Sequence, residues 1–99
     1  MGEKVMYVGM DLDSSGGDTI HAIIEAIEED NEGVVVEDYF TFKKVKAPNN
    51  MLVKRETVEA CLGREWNMDD IHLYMSSYFG FIEDWDEDQM IIRWNNPDK

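Results

Sequence analysis

The chain has 99 residues, 43% of them hydrophobic, with three Trp, four Tyr and four Phe; at that length one domain buries somewhat over roughly 60% of the surface its unfolded form exposes, which excludes general disorder and two independent cores. The 22 acidic residues against 9 basic ones give a formal net charge of −13. A field of that sign repels nucleic acid and anionic lipid, since binding either requires Lys and Arg to displace counterions, and it favours a partner with a cationic surface.

In chain order, Lys4–Met10 reads as a first strand, rich in β-formers. Asp13–Gly17 is a loop, and Asp18 is placed to cap a helix in which Ile20, Ile23, Ile24 and Ile27 recur at helical spacing. Asn31–Glu32–Gly33 stops that helix, Gly33 being free to turn left-handed. Val34–Val36 is a short strand and Tyr39–Ala47 a longer one; after the Pro48–Asn50 turn, Met51–Val53 begins another. Glu56–Leu62 is a two-turn helix closed by Gly63, and a helical turn follows near Met68–Ile71. Leu73–Phe79, Gly80–Asp84 and Gln89–Trp94 are strands, the last two joined through the charged turn Trp85–Asp88. This order, βαββ then βααβββ, clusters strands with few helical crossovers. It predicts an α+β fold of mainly antiparallel sheets with three helices, a single domain over 1–99 with halves at about 1–49 and 50–99.

The expected chemistry of an enzyme is missing. The two His residues, His21 and His72, stand near no nucleophile elbow, and there is no phosphate loop, dinucleotide fingerprint or paired-cysteine motif. Cys61 is the single cysteine, so no internal disulfide can form; with Val58 and Leu62 on the same helix face it reads as a core thiol. Asp18 with His21 and Asp69 with His72 have the spacing of a diiron ligand pair, but four long helices to carry such a centre are absent. Asp11–Gly16 opens like a calcium loop, yet Ala22 stands where its bidentate Glu belongs. No catalytic residue, no metal ligand and no cofactor site is therefore expected. No run of residues has the length of a signal peptide core or a membrane span, which predicts a cytoplasmic protein.

Against this background, Glu56–Thr57–Val58–Glu59–Ala60–Cys61–Leu62–Gly63–Arg64–Glu65–Trp66–Asn67–Met68 resembles one family closely: the regulatory (coupling, effector) proteins of bacterial soluble diiron multicomponent monooxygenases. Ile23–Asn31 is similar to that family's first helix with its closing Asp–Asn, Val36–Tyr39 to the strand and turn that follow, and Met75–Gly80 to a Ser–Ser segment ending in Gly. The likeness spans about residues 20–95 and is nearest the phenol hydroxylase type. It implies a monomer without cofactor that docks on the diiron hydroxylase and controls substrate and oxygen access, so that electron transfer is coupled to oxidation. It also implies a partner-binding segment: Tyr74, Ser76, Ser77, Tyr78, Phe79 and Gly80, with Trp66, Asn67 and Met68 as neighbours. Strand alternation sends Tyr74, Ser76 and Tyr78 one way and Met75, Ser77 and Phe79 the other, one set entering the core. The competing reading, an acidic interaction module such as a DNA-mimicking inhibitor, suits the charge. It lacks carboxylates in paired rows, and the apolar Met75–Phe79 segment has no place on such a surface.

Overall fold

The computed structural model describes residues 6–94. Within them the elements run β1 (Tyr7–Asp13), α1 (Asp18–Asp30), β2 (Val35–Asp38), β3 (Phe42–Pro48), β4 (Asn50–Lys54), α2 (Arg55–Leu62), α3 (Ile71–Tyr74), β5 (Met75–Phe79), β6 (Phe81–Trp85) and β7 (Gln89–Arg93), with 3-10 turns at Ser14–Gly16 and Met68–Asp70. The strands form one sheet in the order β2-β3-β1-β5 and a second in the order β4-β7-β6, and every pairing is antiparallel. The α+β expectation, its three helices and its element order all stand.

The two sheets and α1 close on one core. Val8, Met10 and Leu12 alternate along β1 onto its buried face, and the register sets Val8 beside Ala47 and Met10 beside Val45. In the second sheet Met51 faces Ile92 and Val53 faces Met90, all buried. Helix α1 inserts a broad stripe, Ile20, Ile23, Ile24 and Ile27 with Ala22 and Ala26, into the same cluster. Its apolar positions recur at three- and four-residue spacing, and Glu25, Glu28 and Glu29 keep its wet face. Val58 of α2, Trp66, Met68 and Ile71 complete the core.

Several local expectations are corrected. Asp18 is the first helical residue and not the cap; Gly17 holds that place with φ 59°, a conformation glycine tolerates best. Asp18 instead sets its charge in the first turn, where it favours the helix dipole, and Asp13 caps the preceding 3-10 turn by accepting from the Ser15 amide at 2.9 Å. Asn31, in an extended conformation, ends α1, with the left-handed Gly33 two residues beyond. Tyr39 to Thr41 form the β2–β3 turn and lie outside β3: the Tyr39 amide donates to the Phe42 carbonyl at 2.9 Å, and the Tyr39 ring stacks on Phe42. Leu73 and Tyr74, expected to open the strand, finish helix α3, whose closing amide at Met75 donates to Ile71. The part of the first predicted strand at Lys4 and Val5 lies outside the described residues.

Gly63 closes α2 as read, left-handed at φ 85°, its amide donating to Glu59 O at 2.8 Å. An added Cβ there meets open space, so Gly63→Ala is expected to cost only the backbone strain, about 1 kcal/mol. A urea melt superimposable on the parent's would contradict the cap.

Candidate partner-binding surface

Strand β5 lies at an edge of the first sheet, hydrogen-bonded to β1 alone. Although it belongs to the second half of the sequence, it completes the sheet built by the first. Its register pairs Gly9 with Phe79, Met10 with Tyr78 and Asp11 with Ser77, then jumps to Leu12 with Met75. Ser76 is thus an extra residue, a β-bulge that breaks the two-residue alternation. Across the bulge the simple alternation gives way, Met75 facing the core side with Leu12 and Ser77 the outer side with Asp11; Ser76, Ser77 and Tyr78 are all exposed, and Met75 and Phe79 at the two ends are half-buried. Three consecutive side chains reach solvent where a regular strand would offer one or two. Tyr78, opposite the fully buried Met10, is still 48% exposed because, among the described residues, β5 is the last strand of its sheet.

Tyr74 sits outside this strand. It is half-buried at the end of α3 and packs so close to Gly16 that a Cβ there would come within 2.7 Å of its ring. Gly80 joins β5 to β6 and thereby carries the chain from one sheet to the other. Its φ of 116° and the 2.8 Å approach that a Cβ would make to both Val8 and Ile92 leave room only for glycine, the bend and close approach expected of it.

The Trp66–Asn67–Met68 neighbours are split by burial. Trp66 is 8% exposed and Met68 entirely buried; both are core residues and neither offers a side chain to a partner. The Trp66 amide donates to Glu59 Oε2 at 2.9 Å. That bond, followed by the Arg55 guanidinium, holds the Glu59 carboxyl below its ordinary value and ties the segment to α2. Asn67 alone stands exposed, its side chain accepting from the Asp69 amide at 3.1 Å to start the 3-10 turn.

The surface bears other apolar side chains that the sequence reading passed over: Leu73 at 65% exposure, Phe81, Trp85 edge-on to His72, and Phe40 at 99% on the β2–β3 turn. Phe40 and Leu73 had been read as strand residues, for which exposure is no surprise on one face. For Phe40 the available signal is its place close after Glu37 and Asp38; Leu73 carries none.

The outer face of the first sheet carries its cations over aromatic rings. Lys44 Nζ lies 4.9 Å from the Phe79 ring centroid, and Lys46 Nζ 5.4 Å from that of Tyr7. Lys44 also donates to Asp11 Oδ1 at 2.9 Å, and Asp11 Oδ2 accepts from Ser77 Oγ at 2.8 Å. Elsewhere, an open cleft of about 720 Å³ lies beside Trp66, Thr19 and Tyr74. Its Arg55 is committed to Glu59, Asp88 and the Glu87 carbonyl, clamping the acidic β6–β7 turn to α2.

Among the described residues no group of three or more His, Cys, Asp and Glu is placed to hold a metal ion, and no helix is long and apolar enough to cross a membrane. Cys61 is half-buried against the core. Desolvation raises its thiol pKa, and the nearby Glu25, Glu29 and Asp30 push it further up. Alkylation of Cys61 near neutral pH should therefore run slower than that of a free cysteine, with a midpoint above the ordinary thiol value in a rate-against-pH titration. A midpoint below it would contradict this environment.

Fold and surface together describe a small acidic protein with an exposed, irregular sheet edge. The chain belongs to the MmoB/DmpM family, whose model matches residues 6–93. Over 79 residues, 80% of this chain and 87% of the other, it is 29% identical to the stimulatory component DmpM of phenol 2-monooxygenase from Pseudomonas sp. (strain CF600). A chain in a structure of the phenol hydroxylase–regulatory protein complex superposes with a TM-score of 0.80 at 27% identity, covering 91% of this chain and all of that one. The regulatory protein B of soluble methane monooxygenase shares the fold, with a TM-score of 0.67 at 24% identity over 96% of this chain and 70% of that one. The resemblance read in the sequence is thus established at the level of the family: a regulatory component, with catalysis residing in another protein.

Proposed function

We propose that this protein stimulates a diiron hydroxylase of the phenol hydroxylase type by docking on it through β5, and that it has no catalytic role of its own. The observation that carries the docking face is the run of three exposed side chains, Ser76, Ser77 and Tyr78, beside the bulge on the edge strand β5. Phe79 and Gly80 close the segment and Asn67 is the exposed member of its neighbours. Tyr74, just before the strand, is half-buried, and Trp66 and Met68 belong to the core.

An edge strand with two hydroxyls and a phenol offers a partner both backbone and side-chain hydrogen bonds next to an apolar rim, the mixture that protein interfaces use. The net charge of −13 draws the protein towards a cationic rim and accelerates encounter, so the association rate is expected to fall as salt rises. Stimulation requires that one state of the hydroxylase be bound more tightly than another, because only differential affinity shifts an equilibrium. A gain of tenfold in the population of the reactive state corresponds to about 1.4 kcal/mol of such difference, within reach of a few side chains. The free protein is a monomer on this reading, its edge strand kept for the hydroxylase.

The experiment is steady-state oxidation by hydroxylase and reductase with Ser76→Ala, Ser77→Ala and Tyr78→Ala variants, recording product formed, reductant consumed and peroxide released. Each variant is expected to keep its melting temperature within a few degrees and to lower product per reductant, Tyr78→Ala by the most because it loses the largest contact area. Normal coupled turnover by all three, or losses explained by unfolding, would refute the docking face.

A further inference from the structure

We propose that Asp11 is the positioning residue of the β5 segment, holding the bulge in its outward form without itself contacting the partner. The proposal rests on β5 being the docking face for its functional part. Its structural part stands on the free protein alone.

β5 has little else to hold it. It pairs with one strand only and its side chains between Met75 and Phe79 are exposed. Asp11, in the middle of β1, supplies two contacts across that pairing and a third to β3 on its other side. Its Oδ2 accepts from Ser77 Oγ at 2.8 Å, its Oδ1 accepts from Lys44 Nζ at 2.9 Å, and its carbonyl accepts from Ser76 Oγ at 3.4 Å. The carboxylate side chain is 17% exposed, lying between Lys44 and Ser77, its register partners on the two flanking strands. Lys44 in turn lies over the Phe79 ring, so the same ion pair reaches the far end of the segment. The register jump falls between Asp11 and Leu12, next to these contacts.

The chemistry divides the two serines. The Ser77 hydroxyl gives its only proton to Asp11 in a short, charge-assisted bond, leaving its lone pairs to accept from a partner. The Ser76 hydroxyl, at 3.4 Å from a carbonyl, is weakly held and is free to donate outward. Asp11 thus sets both where the bulge points and which serine is the donor.

The test combines hydrogen exchange of the free protein with a double-mutant cycle. In Asp11→Asn, which keeps the size of the side chain but loses the charge and one acceptor, peptides covering β5 should exchange about tenfold faster, while those of α1 and β3 keep their rates. Ser77→Ala, which removes one partner only and leaves β1 untouched, should raise β5 exchange by a smaller factor. With the hydroxylase present, Asp11→Asn should raise the concentration for half-maximal stimulation about tenfold and leave the saturated rate near the parent's. In the free protein the Asp11→Asn/Ser77→Ala double variant should raise β5 exchange by less than the product of the two single factors, since both substitutions strike the same bond. Unchanged β5 exchange in both single variants, or acceleration spread evenly over the protein, overturns the positioning role. β5 exchange factors that multiply in the double variant overturn it too, because the two side chains would then act independently. Faster β5 exchange in variants that stimulate the hydroxylase at the parent's concentration upholds the anchor and overturns the docking face instead.

Discussion

Replacing Gly9 with Ala is expected to lower the stability of the protein by about 3 kcal/mol, a larger loss than any other single methyl group should cause in it. An added Cβ at Gly9 falls 1.9 Å from the Val45 carbonyl oxygen and 2.9 Å from its carbon. These are backbone atoms of the neighbouring strand, so no rotamer change relieves the contact. β1 is the central strand between β3 and β5, and Met10 and Val45 on either side of the contact are fully buried. Relief therefore means parting β1 from β3 in the middle of the core sheet. The cause is purely steric, unlike that at Gly63, where space is open and the backbone is left-handed. Urea melts of the two Ala variants measured side by side separate the causes, Gly9→Ala being the more damaging by about 2 kcal/mol. Equal melts would mean that the β1–β3 approach is looser than the structure has it.

Asn31→Ala should cost about 2–3 kcal/mol. The Asn31 side chain accepts from the Leu52 amide at 2.9 Å, donates to the Leu52 carbonyl at 2.8 Å, and donates to Ile27 O at 2.9 Å. It behaves as a short stretch of strand, pairing the free edge of β4 while closing the last turn of α1. Its loss leaves two backbone groups of Leu52 without their partners in a part-buried setting, each worth about 1 kcal/mol or more, while the Ile27 carbonyl keeps the Asn31 backbone amide. Asn31→Asp should rescue little, because the carboxylate still accepts from the Leu52 amide but faces two carbonyls that had received protons. Thermal melts with hydrogen exchange of β4 check both variants: β4 should open before the rest. Stability within 0.5 kcal/mol of the parent in Asn31→Ala would show that water replaces the amide there without loss.

Much of this architecture was legible in the sequence where a short-range pattern decides the outcome. The isoleucines of α1, the left-handed Gly63 and the charged β6–β7 turn each depend on neighbours within a few residues. What escaped depends on distant partners. Asn31 reads as a helix stop, and its pairing with Leu52 crosses 21 residues of sequence. Asp11 reads as the start of a failed calcium loop, and its bond to Ser77 crosses 66. An extra residue in a strand leaves no mark in a two-residue alternation, so the bulge at Ser76 could not be foreseen, and the sorting of β5 into an inner and an outer set failed with it. Tyr74 shows propensity losing to context: a β-forming side chain finishes a helical turn that Ile71, filling the core, begins. The candidate surface came from family likeness, which locates a segment but does not say which of its side chains are buried. Trp66 and Met68 were grouped with Asn67 for that reason, and only burial separates them.

The most direct test of the account is a hydrogen-exchange footprint of the protein with and without a phenol hydroxylase-type diiron hydroxylase, at concentrations where stimulation is saturated. The account predicts that Met75–Gly80 loses exchange on binding, with a smaller loss around Asn67, and that the outer face of α1, Glu25 to Glu29, exchanges as in the free protein. Protection confined to α1 or to the Tyr39–Thr41 turn, with Met75–Gly80 unchanged, would contradict it.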